Sequence, residues 1–155
     1  MTEQVPLRLR EDEACMEPAV TLEAFGGQTN AVAVRIEPGE DTRELLPHLD
    51  RLRRIDIAFP AFTDGRGYSA ARILREAGFT GELRAVGDVL VDQIAYMRRC
   101  GFDAFDPDAS LDPDDVEAAL TRLGAFGRAA HRMAGGRLVA ITGSVGKTGS
   151  KEMLA

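Results

Sequence analysis

Soft-metal and thiol chemistry have little to work with in this chain. Its 155 residues include two cysteines and two histidines. Cys15 and Cys100 lie far apart, so they cannot by themselves assemble an iron–sulfur cluster or a structural zinc site. His48 and His131 are isolated and suit surface or capping roles. Tryptophan is absent and aromatics make up only 6%. No apolar run approaches the roughly 18–20 residues that cross a bilayer. Met1–Arg10 lacks the apolar centre of a signal peptide. A cytoplasmic protein without a membrane partner is therefore expected, in a compartment where a disulfide is disfavoured. The GxGxxG loop and other dinucleotide fingerprints are also missing, so no flavin, haem or iron–sulfur cofactor is implied.

What is present is the balance of one folded domain: 45% hydrophobic and 28% charged residues. The net charge of -6 is unevenly spread. Residues 119–155 carry six basic residues against Glu152 alone, and the only two lysines, Lys147 and Lys151, lie among them. The acidic remainder argues against nucleic acid as a partner. The break in charge sets off a basic tail (119–155) from an α/β body (31–118), and weak patterning marks residues 1–30 as a weakly structured lead-in.

The body alternates between strand and helix patterns. Ala31–Ile36 reads as a strand, and Leu45, Leu46, Leu49 and Leu52 follow at helical spacing around Pro47. Ile55–Phe59 is a second strand. The loop through Asp64-Gly65-Arg66-Gly67 leads to a helix that Gly78 stops. Leu83–Val86 is a third strand ending at Gly87-Asp88, and a helix with Leu90, Ile94 and Met97 runs to Gly101. Phe102–Phe105 is a short fourth strand, after which Asp112 and Pro113 open a helix as N-cap and first helical residue. Leu138–Ile141 reads as a fifth strand. The pattern predicts a mostly parallel sheet of four to five strands, either open or part of a barrel.

In such folds ligands gather beyond the C-terminal strand ends. The segment Phe59–Ser69 puts Asp64, Gly65, Arg66 and Gly67 between a strand and a helix N-terminus, where amide groups and a guanidinium suit a small oxyanion. A tight turn in which Arg66 pairs with Asp64 explains the same residues. Asp88, closing an apolar strand, either orients a ligand or an arginine, or caps the following helix.

Three segments together carry a resemblance: FPAFTDGRGYS, then GELRAVGDVLVDQ, then MRRCGFDAF. Over Val32–Phe105 they resemble a bacterial family described as a domain of unknown function, or as oxidoreductases associated with sulfite reduction. Ala61 departs from it, since lysine is common there. The resemblance implies an accessory role in assimilatory sulfite reduction, with sulfite reductase components as partners. The residues themselves show no redox chemistry, so a small-anion binder is expected rather than a self-sufficient reductase.

The tail carries a different motif. Thr142-Gly143-Ser144-Val145-Gly146-Lys147-Thr148 follows an apolar strand and precedes a helix. Here Gly143, Ser144, Val145 and Gly146 would wrap a phosphate with backbone N–H groups. Lys147 would add a point charge and Thr148 would reach magnesium, giving a candidate Mg-ATP site. From about residue 120 onward the tail resembles the start of the ATP-binding domain of the Mur ligases of peptidoglycan synthesis, cut short at Ala155. Weak nucleotide binding without ligation is the expectation, with a Mur ligase fragment as the competing reading of the whole chain.

Overall fold

The computed structural model describes residues 6–122. Their elements are β1 (Leu7–Arg8), β2 (Val20–Thr21), α1 (Leu22–Phe25), β3 (Ala33–Ile36), a 3-10 helix (Thr42–His48), β4 (Arg54–Phe59), α2 (Arg66–Glu76), β5 (Glu82–Gly87), α3 (Val91–Cys100) and β6 (Ala104–Pro107). Residues 113–122 form a further helix, opened by the Asp112 carboxylate, which accepts the Asp114 N–H at 2.8 Å.

Among the described residues the sheet is open and six-stranded, in the order β1-β6-β5-β4-β3-β2. From β2 to β6 each strand lies parallel to the next in chain order, and β1 closes the far edge antiparallel to β6. Because every crossover steps in the same direction, the right-handed rule sends all the connecting helices to one face. Strand alternation then sorts the side chains. In β4, Ile55, Ile57 and Phe59 enter the core, where they meet Ala71 and Leu74 of α2 and Ile94 and Met97 of α3. Each large side chain buried this way contributes about 1.5–3 kcal/mol. On the opposite face Arg54 and Asp56 of β4 lie beside Glu82 and Arg84 of β5 in register. All four are buried.

The N-terminal strand ends are tied together by arginines. Asp103 is the hub. It accepts Arg10 Nη1 at 2.7 Å, Arg75 Nη2 at 2.8 Å and the Leu83 N–H at 2.8 Å. Arg75 also donates to the carbonyls of Phe79, Gly81 and Gly101. The segment between β1 and β2 straps this end: Arg10 donates to the carbonyls of Thr80 and Gly81, and Arg54 donates to that of Cys15.

Several details differ from the sequence pattern. The first thirty residues, expected to be a lead-in, supply both edge strands and the buried Leu22 and Phe25. Two-residue strands carry no periodicity, and the partner of Leu7, Phe105, is distant in sequence. The leucine-rich helix is a 3-10 helix ending at His48, with Pro47 inside it. Proline lacks the N–H that an α-helical interior requires. The last strand starts at Ala104 instead of Phe102, because the Phe102 N–H closes α3 on the Met97 carbonyl at 3.1 Å, with Gly101 left-handed between them. The fifth strand expected at Leu138–Ile141 lies outside the described residues.

Candidate functional site

The C-terminal ends of β3 and β4 open into a cavity of about 210 Å³ between the turn after β3 and the start of α2. Gly39, Thr42, Arg43, Arg66, Gly67 and Ser69 are among its lining residues. Gly39 has φ +97°, a conformation that favours glycine, and a Cβ there would stand 3.6 Å from Arg66 Nη1. Arg66 therefore reaches from the α2 start across to this turn.

Asp64 fixes the guanidinium. Its carboxylate accepts Arg66 Nε at 3.0 Å, Arg66 Nη2 at 2.6 Å and the Arg66 backbone N–H at 3.1 Å. These hydrogen bonds pull the Asp64 carboxyl down to about 2. The turn-forming pair is thus real, and it leaves Nη1 free of hydrogen bonds among the described residues. The side chain of Arg66 is 63% exposed.

The glycines play separate parts. Gly65 is the N-cap of α2 and supplies no side-chain cap. A Cβ on it would meet nothing. Gly67 is a packing residue, because a Cβ there would come within 2.5 Å of the Phe59 ring. Its amide keeps no partner among the described residues, and Gly67 is one of the residues lining the cavity. Asp88 neither caps α3, whose N-cap is Leu90, nor touches Arg66. Instead it accepts the Phe62 N–H at 2.9 Å, while Gln93 donates to the Phe62 carbonyl at 2.7 Å. Asp88 and Gln93 thereby grip one residue of the 60–65 loop from both sides. Of the five candidates in the body, the structure places Arg66 and Gly67 in the cavity lining and pairs Asp64 with Arg66. It leaves Gly65 as a bare cap and makes Asp88 a support for the loop.

On the other face a second hollow of about 300 Å³ is lined by Arg35, Glu37, Asp56, Asp106 and Asp108 among others. Beneath it runs a chain of charges across the strands. Arg8 Nε meets Glu82 Oε2 at 2.7 Å, and Arg84 Nη2 meets Glu82 Oε1 at 2.6 Å. Arg54 Nε meets Asp56 Oδ1 at 2.9 Å, with Arg84 4.0 Å from the same oxygen. Ala104, lying between Arg8 and Arg84 in register, leaves room for Arg8 to reach over. Burial pushes the Asp56 carboxyl up, against the pull of Arg54. Sequence reasoning missed this array, although the alternation in RIDIAF and ELRAVG signals one polar face.

Among the described residues no group of three metal-ligating side chains forms, and no helix is long and apolar enough to cross a membrane. The phosphate-loop candidates Gly143, Ser144, Val145, Gly146, Lys147 and Thr148 lie outside the described residues.

The family described as "Bacterial protein of unknown function (DUF934)" matches residues 33–133. The chain belongs to this family. No curated protein and no solved structure matches the chain. The family stretch includes both strand-end loops and the charged array of β4 and β5, and it runs on through residues 119–133 at the start of the tail. The likeness of the tail to a Mur ligase has no support beyond its own loop sequence.

Proposed function

We propose that this family member binds a small oxyanion at the C-terminal strand ends and serves sulfite reduction as an accessory protein. One observation carries the binding site: Asp64 holds Arg66 by one edge and leaves Nη1 toward the cavity that Gly67, its amide without a partner among the described residues, also lines. A guanidinium pinned by a carboxylate loses little freedom on binding, and both donors match a tetrahedral or pyramidal oxyanion. The neighbouring acids are engaged on their own turn. Glu40 accepts the Glu37 N–H at 2.6 Å, and Asp41 accepts the Arg43 N–H at 3.0 Å. Their charge opposes an anion, so affinity is expected on the order of millimolar, about 4 kcal/mol. The sulfite assignment rests on the three-segment resemblance, and sulfite reductase components are the partners it implies.

Calorimetric titration with sulfite, sulfate and phosphate tests the site. A charge-assisted contact is worth about 1.5–3 kcal/mol, so Arg66→Ala should weaken binding tenfold or more. Equal affinity in parent and variant would reduce the loop to a turn.

A further inference from the structure

The outer face of α3 carries a charged and aromatic stripe whose charged ends neither the core nor the anion cavity uses, while its tyrosine, Tyr96, lies with its ring 5.3 Å from that of Tyr68. Asp92, Tyr96 and Arg99 are exposed and follow one another at spacings of four and three. That spacing places them in one stripe along the helix. The stripe is acidic at its start, aromatic in the middle and basic at its end. Tyr96 is 41% exposed, and Leu90 at 40% and Phe62 at 45% extend the apolar surface at the N-terminal end. Phe62 is held there by the grip of Asp88 and Gln93 on its backbone.

Among the described residues the stripe's charges, and Arg98 beside it, stand without partner side chains. Asp92, Arg98 and Arg99 form no ion pair or side-chain hydrogen bond among the described residues. Nine other arginines of the described residues do form ion pairs: Arg8, Arg10, Arg35, Arg43, Arg54, Arg66, Arg72, Arg75 and Arg84. Asp92 and Arg99 cannot meet within their own helix, because seven residues advance about 10 Å along its axis. The preference of cations for a helix C-terminus explains where Arg98 and Arg99 stand. The matching preference of acids for the N-terminus explains why Asp92 stands in the first turn, and together the two preferences leave the helix with opposite, exposed and unpaired charges at its two ends.

We propose that this face of α3 binds a second copy of the chain across a two-fold axis. Antiparallel pairing of α3 with its copy sets Asp92 against the partner's Arg99 and Arg99 against the partner's Asp92. Tyr96 falls near the midpoint of the two charges, so the axis passes close to both tyrosines. Phe62 and Leu90 of each copy then approach Arg98 and Arg99 of the other, where a guanidinium can lie over an aromatic ring. A single stripe that is its own complement when reversed is what an isologous interface requires. Tyrosine and arginine are also the residues that most often anchor such contacts. This inference stands apart from the anion site, which lies at the α2 start and needs no second copy.

The test is the mass of the full chain in solution by sedimentation equilibrium, from micromolar to about 1 mM. The parent should shift with concentration from 16.7 kDa toward twice that mass. Asp92→Arg alone, or Arg99→Asp alone, places like charges together twice per dimer and should weaken association by roughly tenfold or more. The double swap D92R/R99D restores opposite charges and should recover the parent's association to within about threefold. Both substituted positions are exposed, so a melting curve that stays cooperative and moves by no more than the helix-end charges account for serves as the folding control. A parent that stays monomeric throughout overturns the proposal. So does a dimer indifferent to the single reversals, or one the double swap fails to rescue.

Discussion

The two ends of this parallel sheet use arginine in opposite ways. At the N-terminal ends Arg10 and Arg75 turn inward, donating to four backbone carbonyls between them and sharing the Asp103 carboxylate. At the C-terminal ends Arg66 is gripped along one edge by a single neighbour and faces a cavity. The first arrangement satisfies nearly every donor and exposes little. The second holds a donor in place without satisfying it. Under the proposed function, stability and binding fall at opposite ends of the same strands, and in parallel α/β sheets ligands commonly bind beyond the C-terminal ends.

Substitutions should separate the two ends in the same way. Asp103→Ala strips Arg10, Arg75 and the Leu83 N–H of a shared acceptor, and is expected to cost about 2–4 kcal/mol in urea denaturation. Anion affinity should be unchanged in the molecules that remain folded. Asp103→Asn keeps an acceptor for the Leu83 N–H and should cost less. A smaller loss, about 1–3 kcal/mol, is expected for Gly67→Ala, whose methyl would press on the Phe59 ring. This substitution sits at the boundary of the comparison, because it strains the core and the cavity lining together. Stability and affinity should fall in parallel, and a loss of one without the other would break the assignment.

Asp88→Ala should be milder, about 1 kcal/mol, since the Phe62 N–H is on an exposed loop that water can reach. Gln93 would still hold the Phe62 carbonyl, so a thermal melt should move only slightly. The smallest expected effect is that of pH. Asp64 titrates near 2 in the folded protein, below its value of roughly 3.9 in an unfolded chain. Its contribution is therefore complete above the unfolded value and is lost as pH falls through about 2. Sulfate, which does not titrate in this range, should bind with affinities within about twofold of each other at pH 7 and pH 5.

Much of this fold was legible in the sequence because the signals were local. Short apolar runs marked β4 and β5, and Gly78 and Gly101 marked the ends of α2 and α3. Both adopt positive φ, at +93° and +118°. What was not legible depended on distant partners. Leu7 finds Phe105, and Val20 finds Val34, through strands too short to show a period. The site was half legible. The residue types around Arg66 fit both an anion loop and a paired turn, and only the fold shows Arg66 paired along one edge beside an open cavity. Asp88 could not be assigned from sequence because its partner, the Phe62 N–H, lies 26 residues earlier.

The central claim is that an oxyanion sits against Arg66 at the open end of the sheet. Adding sulfate to isotopically labelled protein and following the amide and guanidinium resonances tests it most directly. Saturable shifts should concentrate on the Gly67 and Gly39 amides and the Arg66 Nε–H, and should vanish in Arg66→Ala, while Leu83 at the stapled end stays still. Shifts gathered instead around Arg10 and Arg75, or around Arg35 in the hollow on the opposite face, would contradict it, as would no saturable shift at all.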